Sequence, residues 1–225
     1  MKKKIILAIS ILCICNSIHA QTVSAEMLAA KKTVWFGSKS YKSIAKEIQP
    51  TIYIDDNGAI SYAKILEFSG KTKDQLFSIA NSWANKNFNM GESMIRSVDG
   101  NTGTIVVQGY ISNAVEHIGG ENVYHINLKP VIKVQVKEEK ARIIFTMPAY
   151  NVHKEEKSGS LFRPNSHYDE IWNIKNCYPF NRSTDLHEIT SAKALVMTHI
   201  CAKLYIDYLE NVLTNSVVEN DADDW

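Results

Sequence analysis

Residues 57–88 constrain the fold more than any other part of the chain. Asn57-Gly58 is a tight-turn pair, because both residues tolerate positive φ, and short apolar pieces flank it. Residues 59–68 then alternate. Ile60, Tyr62, Leu66 and Phe68 fall on one face, the period of a half-buried strand, with Lys64 as the exception. Ser69-Gly70 ends the run. Thr72 with Gln75 fits a capping box, in which two orphan amide donors are satisfied reciprocally. Leu76, Ile79, Ala80, Trp83, Ala84 and Phe88 recur at spacings of three and four and share one face of a helix. Trp83 and Phe88 read as core. The rest of the chain reads as built to cover that helix and extend that strand.

The first twenty residues carry the pattern of an export signal rather than of a folded element. Lys2-Lys3-Lys4 is a basic start, residues 5–14 are apolar, and residues 16–20 end at Ala20, where cleavage before Gln21 is expected. The apolar run is well short of the ~20 residues a spanning helix needs, so no integral membrane span is expected after cleavage, with a retained N-terminal anchor as the minor alternative. Cys13 and Cys15 follow Leu12 and Ile14, not the small residues that lipid attachment favours. Loss of the three lysines takes the net charge from +1 to −2. A near-neutral chain without a basic stripe argues against nucleic acid as a partner. The expected location is periplasmic or secreted. Two cysteines then remain, Cys177 and Cys201. In an exported chain they form either one disulfide or two buried thiols.

At 225 residues the chain suits one domain. Residues 21–50 read as an N-terminal extension, with helical spacing at Tyr41, Ile44, Ala45 and Ile48 and an apolar cluster at Val34, Trp35 and Phe36. Residues 51–150 read as the main domain. Thr104 to Ile111 alternates, and residues 114–122 read as a loop. Residues 123–136 give the longest alternation: Tyr124, Ile126, Leu128, Ile132, Val134 and Val136 share one face. Pro130 interrupts it and implies a bulge or an edge. After the charged turn Glu138-Glu139, residues 141–150 return as a strand. Residues 151–183 lack a clean period and read as a long loop, polar at first and aromatic later, with Tyr168, Trp172, Tyr178 and Phe180. Ser183, Thr184 and Asp185 offer caps for a C-terminal helix over 184–214, striped by Ala194, Met197, Cys201, Leu204, Tyr208 and Val212. Residues 215–225 form an acidic tail.

The segment 54–150 resembles the bacterial domain of unknown function 4468 family, which has a TBP-like fold. The matching residues are Asp56-Asn57-Gly58, then Lys71-Thr72-Lys73-Asp74-Gln75-Leu76-Phe77, Trp83, Phe88 and Thr102-Gly103-Thr104-Ile105. Residues 134–142 resemble the family's charged hairpin. Val106-Val107-Gln108 stands where that family's strand tends to carry a lysine and a second glycine. The resemblance implies an α+β fold, a curved antiparallel sheet packed on helices, TBP-like or helix-grip-like, with a long C-terminal helix. It carries over no catalytic residue, and such a fold does not imply DNA binding.

The chemistry-bearing residues give no enzyme signature. There is no Gly-rich phosphate loop, His187-Glu188 lacks the second histidine of a zincin helix, and no Gly-x-Ser-x-Gly elbow is present. His153, His167, His187 and His199 are spaced too irregularly along the chain to define a metal site, and no cofactor is expected. Cys177 with His187 or His199 would need contact and an oriented base to act as a nucleophile pair. The favoured reading is a non-enzymatic envelope module that binds a protein or a glycan through Trp35, Phe36, Tyr168, Trp172, Tyr178 and Phe180, since exposed aromatic patches mark interaction sites. The competing readings are that these clusters only close the core, or that the chain carries a small apolar ligand between sheet and helix, with the aromatic loop as its lid.

Overall fold

The computed structural model describes residues 23–89, 91–157, 165–178 and 187–216. Two short helices come first, α1 (Ala25–Phe36) and α2 (Tyr41–Ile48), followed by a 3-10 turn over Gln49–Thr51. The strands β1 (Tyr53–Ile54) and β2 (Ile60–Glu67) lead into α3 (Lys73–Asn87). Eight strands follow: β3 (Met94–Asp99), β4 (Thr104–Gln108), β5 (Ile111–Gly119), β6 (Asn122–Leu128), β7 (Val131–Lys137), β8 (Lys140–Met147), β9 (Ala149–Glu156) and β10 (Ser166–Asn173). The helix α4 (Glu188–Asn215) ends the described chain. The architecture is α+β with antiparallel sheets and a long C-terminal helix, as the resemblance implies.

The strands divide between two sheets at specific places. The strands form a six-stranded sheet, ordered β1-β2-β8-β7-β4-β3, and a four-stranded sheet, ordered β10-β9-β6-β5. Three chain runs pass from one sheet into the other. They are β4 into β5 at Gly109-Tyr110, β6 into β7 at Lys129-Pro130, and β8 into β9 at Pro148. A proline cannot donate to a ladder, so the pairing breaks where Pro130 and Pro148 sit. Gly109 lets the runs approach at the bend. Its amide donates to the Pro130 carbonyl (2.9 Å), and an added Cβ would come within 3.2 Å of the Pro130 ring. The alternation over 123–136 is therefore two strands in two sheets rather than one bulged strand. Tyr124, Ile126, Leu128, Ile132, Val134 and Val136 are nevertheless all buried, because the bend preserves the inward face.

The stretch around α3 is built as its residues dictate. Thr72 Oγ1 accepts from the Gln75 amide (3.2 Å) and Gln75 Oε1 accepts from the Thr72 amide (3.0 Å), closing the capping box. The β7–β8 turn adds acceptors: Glu138 takes the Lys73 amide and Glu139 takes the Gly70 amide. Negative charge at a helix start also complements its dipole. Lys64, the one charged residue on the inward side of β2, ion-pairs with Glu210 of α4.

Three expectations require correction: the loops at 114–122 and 151–183 and the stripe of the C-terminal helix. Residues 114–122 are not a loop, since β5 runs through Gly119 with only a local register shift after Ile111. Residues 151–183 are not one long loop either, because β9 and β10 pair over Ser166↔Glu156 to Asn173↔Ala149. Asn151, His153 and Glu155 of β9 and His167 and Asp169 of β10 share the outer face of that sheet, so the composition mimics a loop. The caps proposed at Ser183, Thr184 and Asp185 lie outside the described residues. The residue that caps α4 is His187, whose side chain accepts from the Thr190 amide. The buried line of α4 is also rotated relative to the sequence stripe. Leu204, Tyr208 and Val212 are only partly buried, whereas Ala202, Tyr205, Leu209 and Leu213 are fully covered. The first half of α4 lies between α2 and both sheets and is covered almost all round, so periodicity has little to report there.

Candidate functional site

The N-terminal extension, β2 and α4 line an open cleft of about 820 Å³. Trp35 and Phe36 enter it from the last turn of α1, where Gly37 at φ 59° closes the helix. Ile48 and Glu47 of α2 and Thr51 beyond it form a second wall. Tyr62 rises from β2. His199, Lys203 and Asp207 line the remaining side from α4. Their spacing of four places them on one helix face. The floor is aromatic, with Tyr62 edge-on to the core residue Phe145 at a centroid distance of 6.1 Å.

The polar groups of the cleft are fixed by one hydrogen bond and one cation–ring contact. Tyr62 Oη and His199 Nδ1 are 2.9 Å apart. Burial, reinforced by the nearby Lys203 charge, pulls the His199 imidazole down to about 4. Burial pushes the Tyr62 hydroxyl up. Both groups are therefore neutral at physiological pH. The Lys203 ammonium lies 5.8 Å from the Trp35 ring centroid, a geometry in which the ring quadrupole attracts the cation. Glu47 is engaged at the rim by Lys39 (2.7 Å). The result is an aromatic cleft with a neutral hydroxyl–imidazole pair at one end and the Lys203 ammonium and Asp207 carboxylate beside it.

The residues expected to bind divide sharply. Trp35 and Phe36 are half-buried and line the cleft. Trp172 does not face outward: it is buried, its indole N–H donates to Glu170 (2.7 Å), and its ring meets Tyr124. Tyr178 is buried and its amide donates to Ser191 Oγ of α4. Both plug the core, which corrects their reading as contact residues. Tyr168 is exposed on β10, with Lys154 Nζ 5.9 Å from its ring centroid. Phe180 lies outside the described residues. The two cysteines are separate buried thiols, so the structure contains no Cys177–Cys201 bridge. Cys177 instead donates to the Asn173 carbonyl (3.4 Å). Burial pushes the Cys177 thiol up to about 12 and raises Cys201 as well. A thiol so displaced is not an activated nucleophile.

From sequence Tyr62 reads only as an inward strand residue and His199 only as one of the scattered histidines, and Lys203 is not singled out. The signal for them was present on α4: His199, Lys203 and Asp207 form a polar ladder at i, i+4, i+8 in an otherwise apolar helix. The partner wall comes from an extension over 140 positions away in sequence, which no local pattern connects to α4.

The fold is that of an α+β, TBP-like segment with flanking helices. Residues 62–151 match the family model described as a domain of unknown function (DUF4468) with TBP-like fold. Among solved structures the chain is similar to a TBP-like protein from Parabacteroides distasonis, at 15% identity and a TM-score of 0.46, covering 72% of this chain and 97% of that one. It is likewise similar to a DUF4468 family protein from Bacteroides ovatus, at 14% identity and a TM-score of 0.46, covering 77% of this chain and 94% of that one. No curated protein matches the chain. The matched span takes in most of β2, α3 and β3 to β8, but of the cleft residues only Tyr62 falls within it. Among the described residues no helix is long and apolar enough to cross a membrane.

Proposed function

We propose that this protein is a non-enzymatic binding module of the cell envelope, whose site is the cleft between α1, α2, β2 and α4. Its ligand is a small amphipathic molecule with a flat apolar body and one hydrogen-bonding or anionic group. The observation that carries this reading is the Tyr62–His199 pair set beside Lys203 in an aromatic cleft. Pockets for small ligands are mostly apolar, hold a few placed polar groups, and fall at roughly 300–1,000 Å³. In this reading the apolar body lies against Trp35 and Phe36, and the polar group meets Tyr62, His199 and Lys203.

The same pair supports the absence of catalysis. General acid–base groups work best with a pKa near the operating pH. The imidazole is too weak a base and the hydroxyl too weak an acid for transfers near neutrality. Export is supported by the basic, apolar and polar succession of residues 2–20, which lie outside the described residues. A carrier cavity between sheet and helix has less support, because Phe145 and Tyr150 are fully buried there and Tyr205 nearly so.

Native mass spectrometry of the protein recovered from a periplasm, followed by denaturing mass spectrometry of the same sample, tests the proposal. A mass excess that vanishes on denaturation, and that is lost in a Tyr62→Phe, Lys203→Ala double variant, is the expected result. An excess retained by that variant would place the ligand elsewhere. A bare mass, with no aromatic acid or phenol binding in titration, would overturn the ligand reading.

A further inference from the structure

Three of the histidines that look scattered along the chain, His125, His153 and His167, come together on adjacent strands of the four-stranded sheet. Register pairs Glu116 with His125, His125 with His153, and His153 with Asp169, and in the next row pairs Glu155 with His167. Residues directly opposite on antiparallel strands point to the same face. His153 and Glu155 are two apart on β9, as are His167 and Asp169 on β10, so all four share that face. It is the outer face, opposite the core residues Tyr124, Val152 and Trp172.

We infer that His153, Glu155 and His167 form a binding site for a divalent transition metal of the zinc class, with Asp169 positioning His153. One candidate ligand atom from each of the three lies within 4.8 Å of the others. Nitrogen and oxygen donors around a tetrahedral zinc at ~2.05 Å stand roughly 3.4 Å apart, so small side-chain rotations close the site. The two imidazoles are already stacked, with centroids 5.7 Å apart and planes 15° from parallel. His167 Nδ1 is 3.9 Å from Glu155 Oε1. His153 Nδ1 is 2.9 Å from Asp169 Oδ1, which places a proton on Nδ1 and leaves Nε2 free to donate to a metal. A carboxylate behind a ligating imidazole is the usual arrangement in metal sites, because it fixes tautomer and ring orientation. Two imidazoles and one carboxylate suit zinc, copper or nickel rather than magnesium or calcium. Three protein donors on a partly exposed strand pair leave the remaining coordination position to water or to a donor from a partner. This site is separate from the cleft and stands whether or not the cleft binds a ligand.

The test is zinc titration of the full chain by calorimetry, with Zn²⁺ itself as the probe. The expected result is one equivalent bound at micromolar or tighter affinity, weakened at least tenfold by His153→Gln, His167→Gln or Glu155→Gln. Asp169→Asn, which leaves all three ligands in place, should weaken binding by about tenfold. Histidine ring NMR of the unaltered protein gives a reading independent of variant folding: one equivalent of zinc should move the His153 and His167 signals and leave those of His117, His187 and His199 in place. No binding at 100 µM zinc would overturn the inference. So would affinity unchanged in a His153→Gln, His167→Gln double variant, or zinc shifts confined to other histidines.

Discussion

Lowering the pH should destabilise this protein in part through a single imidazole. His199 is enclosed in the cleft, bonded to Tyr62, with its proton affinity drawn down to about 4 from the ordinary histidine value near 6.5. The unfolded chain therefore binds a proton at His199 before the folded chain does. Stability tied to this group is complete above pH ~6.5 and is lost as pH falls toward ~4. The displacement corresponds to a ceiling of about 3.4 kcal/mol. Solvent reaches the partly buried ring, and pH 4.5 captures only part of the transition, so about 1–2 kcal/mol is expected there. For a chain of this length that amounts to roughly 2–8 °C in Tm. The assay is thermal unfolding at pH 7.5 and 4.5 for the natural protein and for His199→Asn, which can still hydrogen-bond to Tyr62 but cannot titrate. His117 is also drawn down, by burial first and then by Lys193 and His187. It weakens both proteins alike and cancels in the comparison. The natural protein should lose about 1–2 kcal/mol more than the variant. Parallel losses would refute an enclosed, neutral imidazole.

Other consequences follow from particular contacts. Trp172→Ala removes a buried indole and should cost about 3–5 kcal/mol in denaturant unfolding while leaving binding at the cleft unchanged, because Trp172 belongs to the core. Gly103→Ala should cost about 1–3 kcal/mol, since Gly103 sits at φ 66° and an added Cβ would meet the Val136 carbonyl oxygen at 2.5 Å; chemical denaturation of the variant measures it. Cys177 and Cys201 should resist a thiol reagent at pH 8 and react fully in guanidinium, and the denatured mass should be the same with and without reductant.

What the sequence shows of this fold follows the range of the interactions that set it. The α3 capping box and the Glu138-Glu139 turn rest on neighbours in sequence and in the adjoining hairpin, and local residue types reveal them. The inward faces of β6 and β7 were readable because alternation survives the bend at Pro130. The bend itself was not, since passing from one sheet to the other depends on strand pairings between distant runs. Trp172 reads as a surface aromatic because the pairing of β10 with β9 leaves no mark in hydropathy, and Tyr178 because it packs beside Ser191 of α4, which no local pattern joins to it. Half of the cleft, Trp35 and Phe36, stood out as an apolar cluster in need of cover. The other half, His199 and Lys203, reads from sequence only as polar positions on the last helix, with nothing local to join them to α1. The aligned histidines are the plainest case: irregular along the chain, they become a row only once strand register is known.

The most direct test of the binding account is ¹⁹F NMR of the protein labelled with 5-fluorotryptophan, titrated with a set of aromatic acids and phenols and assigned by single Trp→Phe substitutions. Trp35 lines the cleft, whereas Trp83 and Trp172 are buried in the core. The account predicts that binding shifts the Trp35 signal, leaves Trp83 and Trp172 in place, and is lost in Tyr62→Phe, Lys203→Ala. A response at Trp172 with Trp35 unmoved, or no response at Trp35 from any member of the set, would contradict it.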